Sequence, residues 1–507
     1  MGPAIVSLIK QLTSESNVQL PKIFTPAHLN LVFKRSYYYT EKVPRTNLYT
    51  RISLIGSPNI SVAPILDQWI EDGKKVRSVE LQSIIRALRA RKRFNQALEL
   101  SEWMSNKGAF PFFPGDRAVQ LDLIGKVRGI QAAETYFEEL AVKSEKIYGA
   151  FLNCCVREGL VEKSLSLLQK MKDKGFATSP LTYNDIMCLY LNMGQLEKIP
   201  LVLSEMKETG VCPDNFSYRI CINSYGSRSD FNSIENLLNE VESQPDFRID
   251  WSTYTTAASV YIKAGFNEKA RSYMKKAEEK VQTDARGYNS LITLYASLGE
   301  KTEMMRIWGL KKTATKRQIN NDYMTMMGSL VKLGELEEAE TLFNEWESAG
   351  NLYDFRVPNV LLIGYTQNGF VEKAEMTLDG IIGRGNIPIP NSWGIIAAGF
   401  VGKGNMKKAF ECMTKAFALQ PQNPGWLPKP GIVSSILDWL GREGKDEEVE
   451  SFINSLKRIA STDGEIYHAL IRAHLSKGDE VEEAILEDMK ADNIDEDEDT
   501  KKIHSSR

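Results

Sequence analysis

Four histidines and six cysteines are few for a chain of 507 residues, and their placement excludes more than their number does. Cys154 and Cys155 adjoin, while Cys188, Cys212, Cys221 and Cys412 are scattered; no Cys-x-x-Cys pair occurs and no histidine stands close enough to complete a zinc set. The cysteines therefore read as reduced, mostly packed thiols, and neither a metal nor another cofactor is expected. P-loop, Gly-x-Ser-x-Gly and His-Glu-x-x-His spacings are also missing, as are the His-x-Glu and Cys-x-x-Cys of a zinc deaminase. An enzyme, or a small-molecule substrate, has no residues to rest on. Long apolar runs are missing too: the stretch Ile395 to Val401 is among the longest, far short of the roughly 20 residues a membrane-spanning helix needs, so no membrane partner is expected. Nor is there an overall basic excess, since 63 Lys and Arg face 66 Asp and Glu for a net charge of −3. Any surface for a polyanion must be local.

What is present is ordinary globular composition, with 42% hydrophobic and 25% charged residues, in a chain too long for a single growing core. Several domains or a repeat array are the two solutions. Residues 1–45 stand apart: Lys10, Lys22, Lys34, Arg35, Lys42 and Arg45 face only Glu15 and Glu41, and Ala4 to Leu12 is apolar. That pattern resembles an organelle targeting presequence, with Arg35-Ser36-Tyr37-Tyr38 as a mitochondrial-type processing site; a disordered basic leader is the alternative.

Self-comparison shows a period of about 35 residues. Thr182-Tyr183-Asn184 leads to Gly194, Thr253-Tyr254-Thr255 to Gly265, and Gly287-Tyr288-Asn289 to Gly299; further copies close on Gly159, Gly334, Gly369, Gly404, Gly444 and Gly478. Each copy carries two helical patterns. From Pro180 the first places Tyr183, Met187, Tyr190 and Leu191 on one face, and the second places Leu196, Ile199, Leu203 and Met206. Gly210 is expected as a left-handed cap, and Pro200 either sits in the first turn of the second helix or kinks it. Small residues at Ala97, Ser164, Ala270, Ala339, Ala374 and Ala409 let the paired helices approach. One hairpin cannot bury its own stripe, so stacked copies share a continuous core.

The tyrosine three residues into the first helix, the closing glycines and the ending Gly210-Val211-Cys212-Pro213-Asp214 resemble the pentatricopeptide repeat, of the P class without an editing-type C-terminal extension and of plant mitochondrial type. The resemblance implies an all-α fold, a right-handed superhelical solenoid of helix-turn-helix repeats. It divides the chain into a presequence (1–45), a degenerate helical cap (46–77), an array of about twelve repeats (78–495) and a charged tail (496–507). It implies binding of single-stranded RNA, an organellar transcript or ribosomal RNA, in a mitochondrion or alternatively a chloroplast. The implied role is transcript processing, stability or translation. The alternative is a protein-interaction scaffold such as a mitochondrial ribosomal subunit, with ribosomal or other ribonucleoprotein subunits as partners.

In that family two residues per repeat select a base. Carried over, Asn184 with Asp214 matches the uridine pair and Thr255 with Asp284 the guanosine pair, while Asn289 and Asn359 keep the asparagine but end their repeats on Ile319 and Ile389. Leu181 and Phe216 keep the apolar residue that sandwiches a base. Arg157, Lys263, Lys332 and Arg442 keep the phosphate-facing cation. Asn184 and Asp214 are equally residues that cap a helix start or fix a turn. Arg86, Arg89 and Arg93, with Arg91 and Lys92, form either a phosphate patch or solvated helix surface. At about 1–3 kcal/mol per base, two full modules supply about 2–6 of the roughly 8 kcal/mol that micromolar affinity requires, so phosphate contacts or partial modules must supply the rest.

Overall fold

The computed structural model describes residues 47–53, 60–107, 110–423, 425–443 and 446–457. The stretch expected as a presequence, the copy from Gly464 to Asp495, His468 and the tail lie outside them. Among the described residues there are 24 α-helices, two short 3-10 turns and no strand. The chain divides into two compact units, one ending at Tyr136 and the other beginning at Phe137.

The pair from Pro180 shows why this sequence makes hairpins. Pro180 opens the first helix, Pro180–Asn192, where its missing N–H costs nothing. Tyr183, Met187 and Tyr190 are buried and Leu191 is half-buried. The turn closes through Gly194, whose φ of +70° would strain any side chain, as Gln195 N donates to Tyr190 O at 2.9 Å. The second helix begins late: Leu196–Lys198 is a 3-10 turn and the α-helix runs Ile199–Glu208, so Pro200 falls in its first turn and introduces no kink. Gly210, at φ +75°, ends it. The small residues Ala97, Ser164, Ala270, Ala339, Ala374 and Ala409 are all fully buried, where the paired helices pack.

In the second unit the first helices of successive pairs pack on one another in a continuous row, from Glu145–Arg157 through Pro180–Asn192, Asn215–Ser227, Trp251–Lys263, Ala285–Ser297, Asn320–Lys332, Arg356–Gln367 and Pro390–Gly402 to Pro430–Glu443. Each second helix packs on its own first helix, and most also touch the next one, so the core is a seam with no single centre. Along the second-helix layer, ion pairs link neighbouring repeats: Lys207 with Glu240 (2.6 Å), Lys312 with Glu345 (2.8 Å) and Lys408 with Glu375 (2.6 Å). Glu338, half-buried, pairs with Lys301 (2.5 Å).

Candidate nucleic-acid interface

The open face of the first-helix row carries Thr255 and Asn289, two of the residues expected from the sequence to contact a base. On it lies a groove of about 550 Å³, lined by Asn223, Thr255, Thr256, Ser259, Arg286, Asn289, Ser290, Thr293, Asn321 and Thr325, with Leu294. Its floor is neutral and polar, and its one charged residue is cationic. Several hydroxyl protons are already committed along their own helices: Thr255 Oγ1 donates to Ser252 O (3.1 Å), Thr256 to the same carbonyl (2.8 Å), Thr293 to Asn289 O (3.0 Å) and Thr325 to Asn321 O (2.9 Å). What these hydroxyls can still offer a ligand is acceptor lone pairs.

Asn184 is 2% exposed, the fifth residue of its helix, and caps nothing. Its Nδ2 donates to Asp214 Oδ1 at 3.1 Å and its Oδ1 lies 2.7 Å from the Ser217 hydroxyl. Because a carboxylate only accepts, the Asp214 contact fixes which way round the amide stands. Asp214 does cap: its carboxylate accepts from Ser217 N at 2.8 Å at the start of Asn215–Ser227. The capping and pairing roles coexist in one side chain. Asn184 keeps one N–H and one lone pair unspent.

Thr255 and Asp284 are not joined by a hydrogen bond. Asp284 caps Ala285–Ser297 through Arg286 N (2.9 Å) and pairs with the Arg286 guanidinium (3.0 Å), which holds its carboxyl below the ordinary value. Asn289, 9% exposed, donates from Nδ2 to Asp322 Oδ1 at 2.9 Å and accepts on Oδ1 from Lys311 Nζ at 2.6 Å. Asn359 is buried with Oδ1 lacking a hydrogen-bond partner, as does the buried Ser392 Oγ. Arg219, the fifth residue of Asn215–Ser227, pairs with Asp250 at 3.5 Å.

Of the two residues expected to sandwich a base, Leu181 is 62% exposed; Phe216 is exposed too but lies under the Arg219 guanidinium, 5.3 Å from ring centroid to cation. Among the cations, Lys263 and Arg442 are exposed, Arg442 donating to Asp438 O (3.0 Å). Lys332 donates to the Ser297 hydroxyl (2.8 Å), and Arg157 lies 3.8 Å from Glu158. In the first unit the arginine cluster is mostly engaged: Arg89 pairs with Asp122 (2.7 Å), which also holds Lys126 (2.8 Å), Arg93 bonds Gln96 and Ile52 O, and Arg91 lies over Tyr49. Exposed Arg86 lines a smaller pocket of about 280 Å³.

Two positions escaped sequence reading. Asp185, beside Asn184, is buried, and burial pushes its carboxyl up to about 6, with the hydrogen bond from Asn153 (3.1 Å) opposing. Lys311 is wholly buried in a second helix, and its partner Asp322 lies on the next repeat. Lys311 eleven residues into Lys301–Ala314 was the available signal, being a charge on the apolar stripe.

A PPR repeat family model matches residues 178–227, and a PPR repeat model matches 146–176, 252–280, 322–351 and 357–386. The mitochondrial pentatricopeptide repeat-containing protein At4g21705 of Arabidopsis thaliana is 47% identical over 94% of this chain and 98% of its own length. At2g20710 of the same plant, also named mitochondrial, is 33% identical over 81% of this chain and 86% of its own. The Arabidopsis large ribosomal subunit protein mL101 (rPPR4) is 35% identical over 93% and 96%. With its tyrosine-marked hairpins, stacked first helices and relatives matched nearly end to end, the chain belongs to the pentatricopeptide repeat family.

Proposed function

We propose that this protein is a mitochondrial single-stranded RNA-binding scaffold that holds a transcript segment along its first-helix row and so serves processing, stability or translation. It acts by binding and carries no catalysis of its own. The observation that carries the reading is the groove: a floor of amides and hydroxyls, one guanidinium and no carboxylate among its lining residues, in a protein whose net charge is negative. Unstacked bases present donors and acceptors that such a floor can meet, and only single strands expose them. Thr255, with its proton committed, offers acceptor lone pairs. These suit the N–H donors on the edge of guanine. Asn184, with one N–H and one lone pair left, suits an edge carrying a carbonyl beside an N–H, as uracil does. Leu181 supplies an exposed apolar side chain for a base to lie against.

The test is equilibrium binding of the full chain to a panel of single-stranded RNAs at fixed salt, with Asn184→Ala and Thr255→Val beside the wild type. Each substitution is expected to weaken binding to the preferred RNA by about fivefold to a hundredfold, corresponding to about 1–3 kcal/mol, and to relax preference at a different nucleotide. No binding by the wild type, or the same preference in all three proteins, refutes the reading.

A second reading, a structural subunit of the mitochondrial ribosome, is favoured by the near end-to-end likeness to mL101 and by the neutralised reader at Arg219. Co-sedimentation of the native protein with the large ribosomal subunit at stoichiometric level supports it; free or transcript-bound protein rejects it.

A further inference from the structure

We propose that Asp322, held by Lys311, takes the place of the missing end-of-repeat carboxylate for Asn289, so that the repeat ending on Ile319 reads the same base as the repeat ending on Asp214. This inference rests on the RNA-binding reading and adds a specificity-determining pair to it.

The comparison is between two asparagines at the same place in their helices. In Pro180–Asn192 the amide of Asn184 gives its N–H to a carboxylate at the repeat's last residue, Asp214. In Ala285–Ser297 the last residue of the repeat is Ile319, exposed and apolar, and by the two-residue pattern this reader has no partner. Three residues further on, Asp322 supplies the carboxylate: its Oδ1 accepts from Asn289 Nδ2 at 2.9 Å, and its Oδ2 accepts from Ile319 N at 3.0 Å. In both repeats the same carboxylate also caps the next first helix, so each is held by its own backbone as well as by the amide. Asp214 does this from the residue before the helix, Asp322 from the third residue within it.

Asp322 is buried, and a lone carboxylate there would be costly. Lys311 meets that need. Its ammonium, 0% exposed, pairs with Asp322 Oδ1 and donates to Asn289 Oδ1 at 2.6 Å. An ammonium can only donate and a carboxylate can only accept, so between them they admit one orientation of the Asn289 amide. The amide keeps one N–H and one lone pair, the same complement that Asn184 keeps. Asn289 also lines the groove beside Ser290 and Thr293. The third residue of the next first helix plays a related part elsewhere: Ser217 stands 2.7 Å from Asn184 Oδ1, and in the first unit Asp116 accepts from Gln82 Nε2 at 2.9 Å.

Selection of bound sequences from a random single-stranded RNA pool, with full-length protein, tests this. The wild type is expected to show the same preferred base at two nucleotides, one erased by Asn184→Ala and the other by Asn289→Ala. Replacing the pair together, Lys311→Met with Asp322→Leu, leaves no buried charge and is expected to keep the fold while lowering discrimination at the Asn289 nucleotide about fivefold or more. Asp322→Asn, which retains an acceptor for Asn289 Nδ2, is expected to keep most of it. An unchanged preference in the double variant, with or without a shift in melting temperature, overturns the inference while leaving RNA binding intact. A wild type that selects no RNA overturns the RNA-binding reading itself, and with it this proposal.

Discussion

Removing Lys311 alone should damage the protein far more than removing it together with Asp322. Lys311 has no exposed surface and Asp322 almost none, so Lys311→Met leaves a buried carboxylate with only Asn289 Nδ2 and Ile319 N to balance it. Breaking a buried pair from one side costs about 3–5 kcal/mol, and Asp322→Leu should cost a similar amount by stranding the ammonium. The double variant removes both charges beside Trp308, whose ring lies 5.5 Å from the ammonium, but leaves the Asn289 amide and Ile319 N without these partners. It should therefore be less stable than the wild type and yet well short of the two single losses added together. The cycle therefore predicts a coupling energy of about 3 kcal/mol or more. Urea unfolding at neutral pH reads the four proteins, and amide exchange should place the damage in Ala285–Ser297, Lys301–Ala314 and Asn320–Lys332, because stacked hairpins lose stability locally. If the double variant is as unstable as the sum of the singles, the pair is not coupled and the reasoning fails.

Other outcomes follow from the same structure. Asp185→Asn should stabilise the protein at neutral pH by up to about 2–3 kcal/mol, the shift from 3.8 to about 6 converted at 1.36 kcal/mol per unit. The sign follows from the raised value: the native protein binds the extra proton, so the wild type's disadvantage is absent below about pH 4 and grows as pH rises through 6, a trend that unfolding at several pH values should show and the variant should lack. Gly364→Ala should destabilise, because a Cβ there would lie 2.7 Å from Val331 Cγ2 at the contact between adjacent first helices. Overpacking costs about 1–3 kcal/mol and outweighs the roughly 1 kcal/mol of helix propensity gained. Gly309→Ala, where a Cβ meets nothing within 4 Å, should instead raise stability by about 0.5–1 kcal/mol, and urea unfolding of the two variants beside the wild type checks both signs.

The hairpins were legible in the sequence because their signals are local. Tyr183, Met187 and Tyr190 recur at helical spacing, and Gly194 and Gly210 end helices by their own backbone freedom. Asn184 with Asp214 was legible for a related reason, since the spacing of one repeat places them at adjoining helix starts. Asp284 was a weaker inference: Arg286, two residues on, engages its carboxylate, an outcome that residue types at a fixed spacing do not report. Asn289 looked incomplete because its partners come from two other helices, and Lys311 and Asp322 meet only when those helices stack. The late start of the second helix at Ile199 was one of two outcomes left open by Pro200, decided by how much of the turn a 3-10 segment could absorb.

The most direct test of the central claim is photocrosslinking of single-stranded RNA to the full-length protein, with the modified peptides identified by mass spectrometry. Adducts should concentrate on the first helices, in Pro180–Asn192, Trp251–Lys263, Ala285–Ser297 and Asn320–Lys332, and should be sparse on the ion-paired second helices. Adducts confined to the second-helix layer, or none above the level of an inert control protein, would contradict it.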